Sequence, residues 1–133
     1  MNTKLLMISS ALLMAVGGVL LQFFPHEILN RLGASSAGIA PLFAQITGAL
    51  YLGFAMTNWM AKTVLIGGIY ARPLAVGNFA HFLIGALALL KYAFTVPDSR
   101  LVWVLTVVYS LLAILFALVF FTHPLKTNNA SQN

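Results

Sequence analysis

The side chains of this sequence that could bind or react lie within or beside long apolar runs, where polar groups are scarce. At about 100° per residue, Tyr51, Asn58 and Lys62 share one helical face of the run 40–61. Asn78 and His81 share a face of the run 73–95. Polar groups inside a bilayer are costly, so such faces indicate either a site or contacts between helices. The candidate ligand-binding residues are Tyr51, Asn58, Lys62, Arg72, Asn78 and His81.

Two interpretations of these polar faces stay open. In the first, the polar groups hold helices together, because small residues let backbones approach and Asn, His or Tyr side chains hydrogen-bond between helices. In the second, Lys62 and Arg72 hold an anionic headgroup at the inner membrane surface. The other four candidates then line a pocket above them, with Tyr51 as its floor.

The sequence lacks the residue sets that several kinds of reaction need. Its two acidic residues, Glu27 and Asp98, lie outside the apolar runs, which disfavours a carboxylate-dependent cation carrier and a Ser-His-Asp hydrolase. His26, His81 and His123 are more than about 10 Å apart along the membrane normal, which argues against haem or a three-histidine metal site. The absence of Cys excludes thiolate metal sites. We therefore predict no catalytic residue, no metal site and no cofactor.

Four apolar runs must position the candidate residues, and they occupy most of the chain. Of 133 residues, 61% are hydrophobic and 7% charged, whereas about a quarter are charged in soluble domains. Each run has about twenty residues, which at about 1.5 Å per residue spans a hydrocarbon core of about 30 Å. The sequence predicts an all-α integral membrane four-helix bundle with up-down-up-down topology, as one domain over residues 1–133. The predicted helices cover residues 4–24, 40–61, 73–95 and 101–122.

Each predicted helix has one face of small or polar residues, and these faces are expected to meet in one interior. On the first helix this face is formed by Ser10, Met14, Gly17 and Gly18. On the fourth helix it is formed by Trp103, Thr106, Ser110 and Ala117, with Ala113 slightly to one side.

The connections between the runs are also informative. Pro25 ends the first helix, and the long connection 24–39 has room for about one turn of interfacial helix. The connection from Lys62 to Arg72 is apolar, so we expect it to lie in the interface or dip into the bundle. No A-x-A-like site follows the first run closely, so we interpret that run as a retained helix, not a cleaved signal peptide.

The net charge of +5 is attributed to topology and contact with anionic lipid. No cluster of four or more basic residues occurs, so nucleic-acid binding is not predicted. The side predicted to carry both termini has Lys4, Lys62, Arg72 and Lys126, and the other side has Arg31, Lys91 and Arg100. The positive-inside rule therefore favours cytoplasmic termini.

One segment resembles known proteins. Residues 48–82, GALYLGFAMTNWMAKTVLIGGIYARPLAVGNFAHF, are similar to a segment of small uncharacterised bacterial four-helix membrane proteins, and the general plan resembles the DoxX-like group. The motif covers about a quarter of the chain, and is carried by Asn58, Trp59, Gly67, Gly68, Tyr70, Arg72, Pro73, Asn78 and His81. The resemblance implies a multi-pass protein of the bacterial inner membrane and no particular activity.

The sequence leaves three functions open. The favoured one is a non-enzymatic membrane protein that binds a lipid, an amphiphile or a partner protein at the inner face. The second is an oligomeric transporter or channel for a small solute, with the polar faces lining its path. The third is an enzyme that modifies a lipid or quinone, with His81 as general base but without a carboxylate partner. Homo-oligomer formation is a further hypothesis, since Ala44, Gly48 and Gly53 offer a second small-residue interface.

Overall fold

The computed structural model describes residues 3–63 and 72–122, which form helices and the turns between them. The helices are α1 (Thr3–Phe23), α2 (Pro25–Arg31), α3 (Ala40–Ala61), α4 (Arg72–Ala93) and α5 (Arg100–Thr122). No β-strand occurs in these two ranges, so the all-α prediction is confirmed. The ends of the four long helices lie within two residues of the predicted runs.

Two predicted features concern residues outside those ranges. Most of the apolar connection between Lys62 and Arg72 falls in residues 64–71, and the segment with His123 and Lys126 follows Thr122. What the sequence indicates for these segments stays a prediction.

The four long helices are long and apolar enough to cross a membrane. Large apolar side chains on them are exposed, including those of Val16, Leu50, Met60, Ile84 and Phe121. Soluble proteins rarely expose apolar surface of this extent, whereas lipid tails solvate it readily. The prediction of a membrane protein built as a helical bundle is confirmed at this level.

α1 and α3 pack closely because each presents glycine at their crossing. A Cβ atom on Gly18 would lie 2.9 Å from the Gly48 carbonyl oxygen, and one on Gly48 would lie 2.9 Å from the Gly18 carbonyl oxygen. Only glycine permits this approach, so Gly48 serves packing within the chain. Ser10 and Met14 on the predicted inner face of α1 are also buried.

α4 and α5 form the second closely packed pair, and aromatic rings join them. Phe82 and Phe116 are fully buried and stack with their ring centroids 5.7 Å apart. The Tyr109 ring contacts Phe82 edge-on at 5.3 Å. Gly85 leaves room for this ring, since a Cβ atom there would lie 2.8 Å from it.

The buried face of α5 differs from the predicted face. Its buried residues are Val102, Thr106, Tyr109, Leu112, Ala113, Phe116 and Val119. Of the predicted residues, Thr106 and the adjoining Ala113 are buried, and Trp103, Ser110 and Ala117 are half-buried. The prediction is therefore met only in part, because large side chains such as that of Phe116 also fill the interior and their fit helps to decide the orientation of the helix.

α2 packs against the ends of α1 and α3 that it connects. Pro25 occupies its first turn, where a missing backbone N–H has no consequence. The helix ends in a Schellman motif, in which Gly33 N donates to the Asn30 carbonyl at 3.1 Å and Ala34 N donates to the Leu29 carbonyl at 2.9 Å. Gly33 has a φ of 75°, which favours glycine at this position.

Candidate functional site

A network of hydrogen bonds joins α1, α3 and α4 in the bundle interior. Asn58 Nδ2 donates to Asn78 Oδ1, and Asn78 Nδ2 donates to Asn58 Oδ1, both at 2.7 Å. Asn58 Nδ2 also donates to Ser10 Oγ at 3.1 Å, and Asn78 Nδ2 donates to the Leu74 carbonyl oxygen at 2.9 Å. Ser10 Oγ donates in turn to the Met7 carbonyl oxygen at 3.0 Å.

This network uses every amide hydrogen of the two asparagine side chains. An asparagine side chain has two N–H hydrogens, and each of the four is donated within the network. Asn58, Asn78 and Ser10 have no exposed surface. A ligand would have to break an existing bond to reach either amide. The geometry therefore favours the first interpretation, in which these groups hold helices together.

His81 lies among aromatic rings, one helical turn beyond Asn78. Four rings surround it with centroids 5.1 to 5.8 Å away, those of Tyr51, Phe54, Phe82 and Tyr109. Its Nε2 atom is buried and has no hydrogen-bond partner among the described residues. The amides of Asn58 and Asn78 are already bonded to each other.

Lys62 and Arg72 lie at helix ends, Lys62 directly after α3 and Arg72 at the start of α4. Lys62 Nζ sits 3.3 Å from the centroid of the Trp59 ring, one turn earlier along α3, in a cation–π contact. Arg72 is exposed at the first position of α4. Contacts thus join Tyr51 to His81 and Asn58 to Asn78, whereas Lys62 contacts Trp59.

Tyr51 also lines a cavity of about 420 Å³ that sequence reasoning did not find. The cavity lies between α1 and the α4–α5 pair, and its walls are aliphatic. They include Leu13 and Leu21 of α1, Leu89 of α4 and Leu105 of α5, with Ile28 of α2 and Leu32, directly after α2, at one end. Its volume falls within the range of about 300–1,000 Å³ that is usual for small-molecule pockets.

Among the described residues that line the cavity, two tyrosines have side-chain oxygen atoms. Tyr51 and Tyr109 both line the cavity, and their hydroxyl groups hydrogen-bond to each other. We call these two residues the tyrosine pair. Sequence reasoning missed Tyr109, although it lies three residues after Thr106 and therefore on the same helical face.

The end of α2 is fixed over the cavity by a side chain from α4. The Tyr92 hydroxyl donates to the Leu32 carbonyl oxygen at 3.0 Å. Leu32 follows the last residue of α2 and lines the cavity. This bond therefore couples α2 to the α4–α5 pair at the end where the cavity lies.

Comparison with known proteins adds no assignment. The chain matches no family model, no curated protein and no solved structure. Within residues 3–63 and 72–122, no three His, Asp or Glu side chains group so that they could hold a metal ion. The structure contains a cavity lined by aliphatic side chains, with the hydroxyl groups of the tyrosine pair at one place in its wall.

Proposed function

We propose that this protein is a multi-pass membrane protein that binds the apolar part of a lipid or other amphiphile in the cavity between α1 and the α4–α5 pair. One observation carries the proposal, namely an aliphatic cavity of about 420 Å³ whose described wall contains the tyrosine pair. An empty apolar cavity forfeits dispersion contacts along its lining, and water does not readily replace them. Lipid chains are the apolar molecules that a membrane supplies in quantity.

The binding place differs from the one that the sequence suggests. A site at the inner face between Lys62 and Arg72 stays a prediction, and it shares only Tyr51 with the cavity. The amide network weakens the case for a solute channel through the bundle, because its hydrogen bonds leave no free donor to line a path. The enzyme hypothesis lacks a carboxylate partner for His81, because the two acidic residues, Glu27 and Asp98, lie outside the apolar runs.

We also propose that the four long helices cross the inner membrane of a bacterium in up-down-up-down order. Contacts support this order, because Ser10 meets Asn58 while Gly18 meets Gly48, so numbers rise along α1 as they fall along α3. α4 and α5 follow the same rule, because Phe82 stacks on Phe116 while Phe94, directly after α4, contacts Trp103 edge-on. The positive-inside rule supports cytoplasmic termini, and the resemblance to DoxX-like proteins supports the inner membrane.

Native mass spectrometry of the purified protein in mild detergent tests the lipid-binding proposal. Ala88 lines the cavity, so Ala88→Phe places a ring in its volume. The wild type should retain a lipid in a fixed ratio, and Ala88→Phe should lose it at unchanged helix content by circular dichroism. The matched control is Leu87→Phe, which puts the same ring at a neighbouring position that is 59% exposed, and it should retain the lipid. A bare wild type, or equal retention by Ala88→Phe, would contradict the proposal.

A further inference from the structure

We infer that the occupant of this cavity is an uncharged lipid with a carbonyl oxygen that accepts a hydrogen bond from the tyrosine pair. The inference rests on the lipid-binding function proposed above. It adds the polar group of the ligand and the place in the cavity where that group lies.

The hydrogen-bond count of the tyrosine pair leaves one hydrogen available. Two hydroxyl groups have two hydrogens, and the bond between Tyr51 and Tyr109 uses one of them. The buried Nε2 atom of nearby His81 accepts no hydrogen bond. No described residue accepts the second hydrogen, and Tyr109 is only 6% exposed. A donor left unpaired in such a place costs free energy, so an oxygen atom of the ligand would be stabilised there.

The rest of the described wall determines that this ligand is uncharged. It contains aliphatic residues, Met14 and glycine, and none of its described side chains is charged. A phosphate or carboxylate in the cavity would lose its hydration without gaining a cation. The tyrosine pair can donate one hydrogen, which suits a single neutral acceptor such as a ketone or ester carbonyl.

Two glycines that line the cavity place the tyrosine pair in its wall. A Cβ atom on Gly17 would lie 3.2 Å from the Tyr51 ring, and one on Gly85 would lie 2.8 Å from the Tyr109 ring. A side chain at Gly85 would therefore displace the Tyr109 ring, and one at Gly17 would press on the Tyr51 ring. The position of the two hydroxyl groups is set from both sides of the cavity, by α1 and by α4.

Binding of matched probes to the purified wild type in detergent tests this inference. The probes are a long-chain methyl ketone, the alkane of the same length and the fatty carboxylate of the same length, compared by native mass spectrometry. The ketone should bind about three- to tenfold more tightly than the alkane, the usual contribution of one hydrogen bond, and the carboxylate should bind most weakly.

The double variant Tyr51→Phe/Tyr109→Phe keeps both rings and removes both hydroxyl groups. It should bind ketone and alkane equally, at the affinity of the wild type for the alkane. The control Thr57→Val removes an exposed hydroxyl group that bonds only within its own helix and does not line the cavity, and it should keep the ketone preference.

The outcomes separate this inference from the function on which it rests. If ketone and alkane bind equally to the wild type and Ala88→Phe abolishes both, the cavity binds lipid and the inferred hydrogen bond is wrong. A ketone preference that survives in the double variant, or tightest binding of the carboxylate, also overturns the inference. If no probe binds, the proposed function itself is wrong.

Discussion

Asn58 of α3 and Asn78 of α4 exchange two hydrogen bonds of 2.7 Å between their side-chain amides. This exchange ties the α1–α3 pair to the α4–α5 pair at the end of the bundle remote from α2. Near α2 the two pairs are instead separated by the aliphatic cavity. The bundle thus has a polar link between the helix pairs at one end and an apolar cavity between them toward the other.

The asparagine pair gives a prediction of non-additive stability. Asn78→Leu should lower the free energy of unfolding by about 1–2 kcal/mol, because Asn58 then keeps a buried oxygen and hydrogen without partners. Asn58→Leu should cost a similar amount. The double variant should cost less than the sum of the two, since both polar groups disappear together. Unfolding by SDS titration in micelles measures these values.

The control for the three asparagine variants is Thr57→Val. The Thr57 hydroxyl is exposed and donates only to carbonyl oxygens of its own helix. Its loss should change the free energy of unfolding by less than about 0.5 kcal/mol. If the double asparagine variant loses as much free energy of unfolding as the two single variants together, the two amides do not stabilise each other.

The glycine contact predicts that two similar substitutions on α3 differ in effect. Gly48→Ala places a methyl group 2.9 Å from the Gly18 carbonyl oxygen, and it should cost about 1–3 kcal/mol of stability. Gly53→Ala meets nothing within 4 Å, and it should leave stability unchanged or slightly increased. Thermal unfolding followed by tryptophan fluorescence compares the two variants. Equal effects would mean that α1 and α3 are not in close contact.

His81 is predicted to act as a packed ring and not as a hydrogen-bonding group. His81→Phe keeps a ring among four aromatic neighbours and removes the unpaired Nε2 atom, so the free energy of unfolding should stay constant or rise by up to about 1 kcal/mol. His81→Ala should lower it by about 2–4 kcal/mol through the cavity it leaves. Unfolding by SDS titration compares the variants. If His81→Phe is as damaging as His81→Ala, the imidazole makes an essential polar contact.

The bond from Tyr92 to Leu32 predicts how firmly α2 is held. Tyr92→Phe should raise the hydrogen-exchange rate of the amides in Pro25–Arg31 about three- to tenfold, since one stabilising bond is lost. Mass spectrometry of deuterated peptides measures the rate. Thr95→Val is the control, because the Thr95 hydroxyl donates to the Tyr92 carbonyl of its own turn. Unchanged exchange in Tyr92→Phe would show that α2 is held by other contacts.

The helices could be predicted from the sequence because their causes are local. Long apolar runs require helices in a bilayer, and Pro25 and Pro73 mark where two of them are interrupted or begin. The association of Asn58 with Asn78 and His81 with Tyr51 was also within reach, since few polar residues lie inside the spans and they must find partners there.

The hydrogen bonds that these residues make could not be predicted, because they depend on distances between helices. The sequence cannot show that Asn58 and Asn78 use all their amide hydrogens on each other and on neighbouring groups, which separates a packing network from a binding site. The volume of the cavity depends on the distance between the two helix pairs. The Tyr109 ring fits in the cavity wall because Gly85, on a different helix, has no side chain. Side-chain shape decides such packing, and helical periodicity alone does not encode it.

Photo-crosslinking shows directly whether a lipid chain occupies the cavity between α1 and the α4–α5 pair. The probe is a long-chain alkane with a diazirine group, used with and without an excess of the unlabelled alkane and followed by peptide mapping. We predict labelling of Leu89 and Leu105 that the excess alkane removes, and labelling of the exposed Ile84 and Val107 that it does not remove. If excess alkane leaves the labelling of all four residues unchanged, no lipid chain binds specifically in the cavity.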